Sequence, residues 1–335
     1  LLGIQGLGNM PYVLTFQAFV VTAYGVSLLA ANPELRAGLL KRALRWQVIA
    51  AVVVAAAAGL APGYLLVEHG TSDLVLLNPG RQADGSVALA TFLSYGGHTG
   101  FQKWIETLTG ASHALDIKLA FGACTWPLAL LGILAGRRRA LPLSVTLLLL
   151  VILSAGSFPA HVVYYVWPLM KYFRHLGMTA PFVRPFVLVL AGIGLEMLIA
   201  GRGGRRSVVF TGCAALGAGL FCCWLALDPT EARRVALNAT HMRPAPGFEI
   251  GVPVAQYALR LWISGLSTFV AAGAILLRGR ISSARLLGAG LAALILVHAL
   301  DTTTYAVQHL LGRTVVLSRE ALAAMAFTPD AFAER

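Results

Sequence analysis

Residues 207–227 read SVVFTGCAALGAGLFCCWLAL, an uncharged run with Arg202, Arg205 and Arg206 before it and Asp228 after it. About 20 apolar residues, rising about 1.5 Å each, cross the roughly 30 Å of bilayer hydrocarbon. Cations at one end and an acid at the other mark a transmembrane span better than a soluble core helix. The same reading applies outward to Pro11–Ala31, Gln47–Val67, Ile117–Gly136, Leu141–Ala155, Phe186–Ala200, Ala258–Leu277 and Leu286–Val307. The chain is 58% hydrophobic and 12% charged, against about 25% charged in water-soluble proteins. The sequence therefore predicts an all-α polytopic membrane protein of about eight spans, with a transmembrane domain over residues 1–310 and an extracytoplasmic tail over 311–335.

The connections alternate in character. Four are short and basic, carrying Arg36, Lys41, Arg42 and Arg45, then Arg137–Arg139, then Arg202, Arg205 and Arg206, then Arg278, Arg280 and Arg285. The positive-inside rule assigns them to the cytoplasm. The outer segments are 68–116, 157–185 and 228–257, and they contain Glu68, Asp73, Asp84, Glu106, Asp116, Asp228, Glu231 and Glu249. This parity puts Leu1 and Arg335 both outside, which predicts further N-terminal spans, and the polar tail predicts the start of an extracytoplasmic domain.

Net charge is +12, but the cations lie in short clusters between apolar runs, the pattern of membrane topology and not of a nucleic-acid face. Lysine occurs only at Lys41, Lys103, Lys118 and Lys171. Arginine and alanine dominance point to a GC-rich bacterial genome and hence to the bacterial cytoplasmic membrane. Cys124, Cys213, Cys222 and Cys223 all fall in apolar stretches without metal-ligand spacing and read as small hydrophobes. No P-loop, H-E-x-x-H, C-x-x-C or G-x-S-x-G motif is present.

Chemistry is therefore expected at the outer face. The segment Ser86–Asp116 mixes Phe92, Tyr95, Phe101 and Trp104 with polar residues, as a helix lying on a membrane would. In HVVYYVWPLMKYFRHLGM (161–178), Pro168 suits a first helical turn. Leu169, Met170, Phe173 and Leu176 then form an apolar face opposite Lys171, Arg174 and His175. With Arg81 and Arg184, these cations are candidates for holding a phosphate or for anchoring to lipid headgroups. His98, in SYGGHTG, joins them on a glycine-flanked loop. His298 and Asp301 lie one turn apart near the outer end of the last span, either hydrated at the interface or functional. Glu196 reads as one half of a snorkelling ion pair with Arg202. Gly192, Gly194, Gly217, Gly219, Gly288 and Gly290 read as sites of close helix packing.

The order of features resembles the YfhO-like proteins, within the GT-C class of multispanning glycosyltransferases. The resemblance is carried by QGLGNMPYVLTFQAFVVTAYGVSLL (5–29), APGYLLVE (61–68) before Arg81, and LAFGACTWPLALLGILAGRRR (119–139). SAGSFPAHVVYYVWPLMKYFRHLGM (154–178), FVLVLAGIGLEML (186–198) and HALDTTTYAV (298–307) complete it. The resemblance implies transfer of a sugar from a polyprenyl-phosphate carrier to an extracytoplasmic acceptor. Arg81, Lys171, Arg174 and His175 would stabilise the departing carrier phosphate. It places the catalytic acid, and any divalent metal that acid binds, in a first outer loop that this chain does not contain, with Glu68 and Asp73 as supplements. The competing expectation is a non-catalytic subunit that packs against partner proteins.

Overall fold

A computed structural model describes residues 11–43, 86–94, 121–156, 158–167, 170–172, 176, 180–228, 254–281 and 283–311, with short pieces between 45 and 54. These residues are almost entirely helical. They form α1 (Pro11–Ala31), α2 (Pro33–Ala43), α3 (Leu89–Ser94), α4 (Thr125–Ala135) and α5 (Arg137–Ser154). There follow α6 (Phe158–Val166), a 3-10 turn (Met170–Tyr172), α7 (Ala180–Ala200), α8 (Arg205–Leu227), α9 (Val254–Leu277), a second 3-10 turn (Arg278–Arg280) and α10 (Ala284–Leu311). Among the described residues, four helices, α7 to α10, are long and apolar enough to cross a membrane, and the count reaches 6 if the bent pairs α1–α2 and α5–α6 are each one span. Exposed Leu188, Phe210, Leu220, Trp224, Leu266, Ile295 and Leu296 give these helices the apolar outer surface that lipid, not water, stabilises.

Two expected spans change. Most of Gln47–Val67 lies outside the described residues. The helix within the expected span Ile117–Gly136 is the 11-residue α4, which covers only about 16 Å. Its N-terminal side opens at Phe121–Cys124, because Ala123 gives its N–H to Asp301 and not to a helical carbonyl. In the opposite sense, α7 starts at Ala180, six residues ahead of expectation; Pro185 removes one backbone donor but does not end the helix.

Glycine sets the closest approach in the bundle. A side chain at Gly132 of α4 would strike the Leu190 carbonyl of α7, and one at Gly194 of α7 would strike the Leu128 carbonyl of α4. Gly219 on α8 similarly makes room for Phe269 and Thr268 on α9. Gly192, Gly217, Gly288 and Gly290 meet nothing within 4 Å, contrary to the packing expected of them. Residues two apart point about 200° apart on a helix, so Gly194 and Gly219 face a neighbour while Gly192 and Gly217 do not, and in the Gly288, Gly290 pair neither does.

The basic connections gather at one end, called here the arginine end. Exposed Arg139 lies 3.6 Å from Glu196, joining the α4–α5 junction to the end of α7. This pair replaces the expected Glu196–Arg202 pair, because α7 ends in a left-handed Gly201 (φ +64°) that turns the chain out of the helix before Arg202. Arg278 donates from Nε to Leu198 O at 2.7 Å and from Nη2 to Ile199 O at 2.8 Å, capping the last turn of α7. Phe16 packs on Phe182 and Tyr24 on Phe186, so α1 runs alongside α7 toward the same end.

At the opposite end, α6 turns 96° from α5. It stops at Val166, next to the Trp167–Pro168 step, since the residue before proline disfavours helical geometry. A helix therefore precedes Pro168, and the 3-10 turn Met170–Tyr172 follows it; the rest of the helical turn expected from Pro168 lies outside the described residues. Exposed Phe158, Val162, Tyr165 and Val166 recur at helical spacing along α6, the apolar stripe of a helix lying in a membrane surface.

Candidate functional site

Four polar residues of α9 recur at spacings of four and three: Arg260, Ser264, Ser267 and Thr268. This places them on one stripe of an otherwise apolar helix, and all four are buried. The stripe meets α10 at Asp301, where the carboxylate is 0% and the Arg260 side chain 3% exposed, with Nη2 2.9 Å from Oδ1. Ser264 Oγ donates to the same oxygen at 3.3 Å, the Ala123 amide donates to Oδ2 at 2.5 Å, and Arg260 Nη1 donates to the Asp301 carbonyl at 2.5 Å. Ser267 completes the seam by donating to Val297 O at 3.3 Å.

The turn before α4 is built to reach this pair. Gly122 faces the His298 ring and Asp301 Oδ2 so closely that any side chain there would collide with the imidazole. Without that approach, the Ala123 N–H would not reach the carboxylate. His298 Nδ1 stands 3.5 Å from Cys124 Sγ, so the histidine one turn before Asp301 also rests on this turn.

A carboxylate taken out of water needs paired charge and hydrogen-bond donors. Asp301 has a guanidinium and a hydroxyl from α9 and an amide from the turn before α4. The arrangement holds α4, α9 and α10 together and keeps both charges inside the bundle. Of the two readings open for His298 and Asp301, hydration at the interface does not hold for Asp301, which is fully buried. The free thiols are mixed too: Cys124 and Cys222 are buried as expected, Cys223 is half-buried, and Cys213 is exposed.

Of the expected phosphate-binding residues, Lys171 and Arg184 lie within the described part of the structure. Lys171 is exposed on the 3-10 turn, and its carbonyl accepts the Val87 N–H at 2.8 Å. Arg184 is half-buried in α7. Trp167 packs edge-on against Phe19 at 5.3 Å, and Phe16 packs on Phe182 at 5.0 Å, so one aromatic cluster supports both segments. Met170 and Leu176 are buried as expected of the apolar face. Phe92 was expected on a membrane surface but is buried against Tyr164, whose hydroxyl donates to the Val87 carbonyl. Arg81, His98, Arg174 and His175, with Glu68 and Asp73, lie outside the described residues.

No protein-family model, curated protein or solved structure matches this chain. Among the described residues, no group of three or more His, Cys, Asp or Glu side chains is placed to hold a metal ion.

Arg260 lies near the start of the expected span Ala258–Leu277, and the run of apolar residues around it does not single it out. Its signal was the polar stripe continuing through Ser264 and Ser267.

Proposed function

We propose that this chain is the membrane domain of a glycosyltransferase that takes a sugar from a polyprenyl-phosphate carrier and passes it to an extracytoplasmic acceptor. The observation that carries the reading is the corner at the end opposite the arginines. There α6 turns 96° from α5 and leads to exposed Lys171, and the neighbouring α7 carries half-buried Arg184 near its start. A carrier lipid approaching within the bilayer would meet the apolar stripe of α6 first and the cations next. Lys171 and Arg184, with Arg81, His98, Arg174 and His175, would neutralise the phosphate as it becomes the leaving group.

The test is transfer of labelled sugar from a polyprenyl-phosphate donor by the full chain in liposomes. Lys171→Ala and Arg184→Gln should each lower transfer by about tenfold or more while leaving the melting temperature within a few degrees. Unchanged transfer in the double variant would remove both residues from the proposal.

A second reading, an accessory subunit, is favoured by the self-contained state of Asp301. Of the described acids, Glu34 and Glu196 belong to the arginine end and Asp301 is locked to Arg260, leaving Asp228 at the other end. Mass spectrometry of the solubilised protein separates the readings: co-purified polyprenyl phosphate supports the transferase, and stoichiometric partner chains support the subunit.

A further inference from the structure

We propose that the groove at the arginine end is a binding site for an anionic phospholipid, with the headgroup phosphate on Arg205 and Arg280. The groove has a volume of about 790 Å³ and lies where α4, α7, α8 and α9 meet. Its floor is apolar, with Leu131 and Ile275 among its residues, and its rim carries Arg205, Arg278 and Arg280. Among the described residues, no acidic side chain lines it.

The three arginines have different tasks. Arg278 is fixed by donating to Leu198 O, Ile199 O and Ile281 O, so it contributes a stationary charge and shapes the wall. Arg205 and Arg280 are exposed, and guanidinium forks match phosphate oxygens in geometry as well as charge. At the other basic junction, Arg139 already faces Glu196.

The apolar lining decides between a lipid and a free phosphate. Val209 and Leu277 line the groove and are also exposed on the outer surface of their helices. An acyl chain can follow that surface from the bilayer while its phosphate stays on the rim. A free anion would gain nothing from these walls. The site is at the opposite end from the proposed carrier-phosphate corner and does not depend on sugar transfer.

Native mass spectrometry of the full chain with phosphatidylglycerol, phosphatidylcholine or inorganic phosphate tests the assignment. Phosphatidylglycerol should be retained in preference to phosphatidylcholine. The Arg205→Gln/Arg280→Gln variant should bind it roughly thirtyfold more weakly, since each of the two cations near an anionic headgroup adds about one kilocalorie per mole. Arg137→Gln/Arg138→Gln, which removes the same charge outside the groove, should bind as the unaltered chain does. Equal losses in the two variants would reduce the effect to general surface charge and overturn the site. Arginine-dependent binding of inorganic phosphate with no preference for phosphatidylglycerol would also overturn the lipid assignment. Independently of any variant, photoactivatable phosphatidylglycerol should crosslink to peptides containing Val209 and Leu277. Crosslinks confined to the outer belt of α10 would contradict the proposal.

Discussion

The two ends of the bundle use ion pairs in opposite ways. At the arginine end, Arg139 and Glu196 lie 3.6 Å apart with 74% and 53% of their side chains exposed. At the other end, Arg260 and Asp301 lie 2.9 Å apart and are almost fully enclosed. A pair in high dielectric gains little and is screened by salt. An enclosed pair leaves an uncompensated charge if either partner is removed. The comparison shows that exposure, more than separation, decides which pair the fold depends on.

The largest expected effect follows directly. Asp301→Ala strands the Arg260 guanidinium and removes the acceptor for Ala123 and Ser264, and should cost about 3–5 kcal/mol. Denaturant unfolding in detergent micelles would measure it. Gly194→Ala comes next: its new methyl group meets the Leu128 carbonyl, so α4 and α7 must separate. Overpacking of this kind costs about 1–3 kcal/mol, whereas Gly192→Ala, facing open space, should be neutral or slightly stabilising because alanine favours helix. An equal effect at both positions would show that the close approach of α4 and α7 does not govern this seam.

Much of the fold was legible because span length and flanking charge are local properties of the sequence. The limits of α1, α8 and α9 follow from apolar runs, and the gathering of arginines follows from alternation of short basic connections. The short α4 was not legible. Its apolar run extends upstream of Thr125, and only the distant Asp301 explains why Ala123 leaves the helix. The Arg260–Asp301 pair was half visible: Asp301 and His298 stood out, but the partner lies 41 positions earlier and required knowing that α9 and α10 pack with those faces together. The segments that carry Lys171 and Arg184 are joined through aromatic contacts between α1, α7 and Trp167, which no spacing rule encodes.

Smaller effects sharpen the contrast at the arginine end. Arg278→Gln removes a charged cap from the carbonyls of Leu198 and Ile199, and should lower stability by about 1–2 kcal/mol. Glu196→Gln should change it by less than about 1 kcal/mol, and added salt should erase the difference. A loss at Glu196 as large as that at Asp301 would dissolve the distinction between the two ends.

The most direct test of the enclosed clamp is a double-mutant cycle in which Arg260→Met and Asp301→Leu are introduced singly and together, with unfolding free energy as the readout. Each single change should cost about 3–5 kcal/mol, and the double variant should recover at least about 2 kcal/mol of their sum, because an apolar pair strands no charge. Additive losses, or single changes costing less than about 1 kcal/mol, would contradict the claim that this pair holds α4, α9 and α10 together.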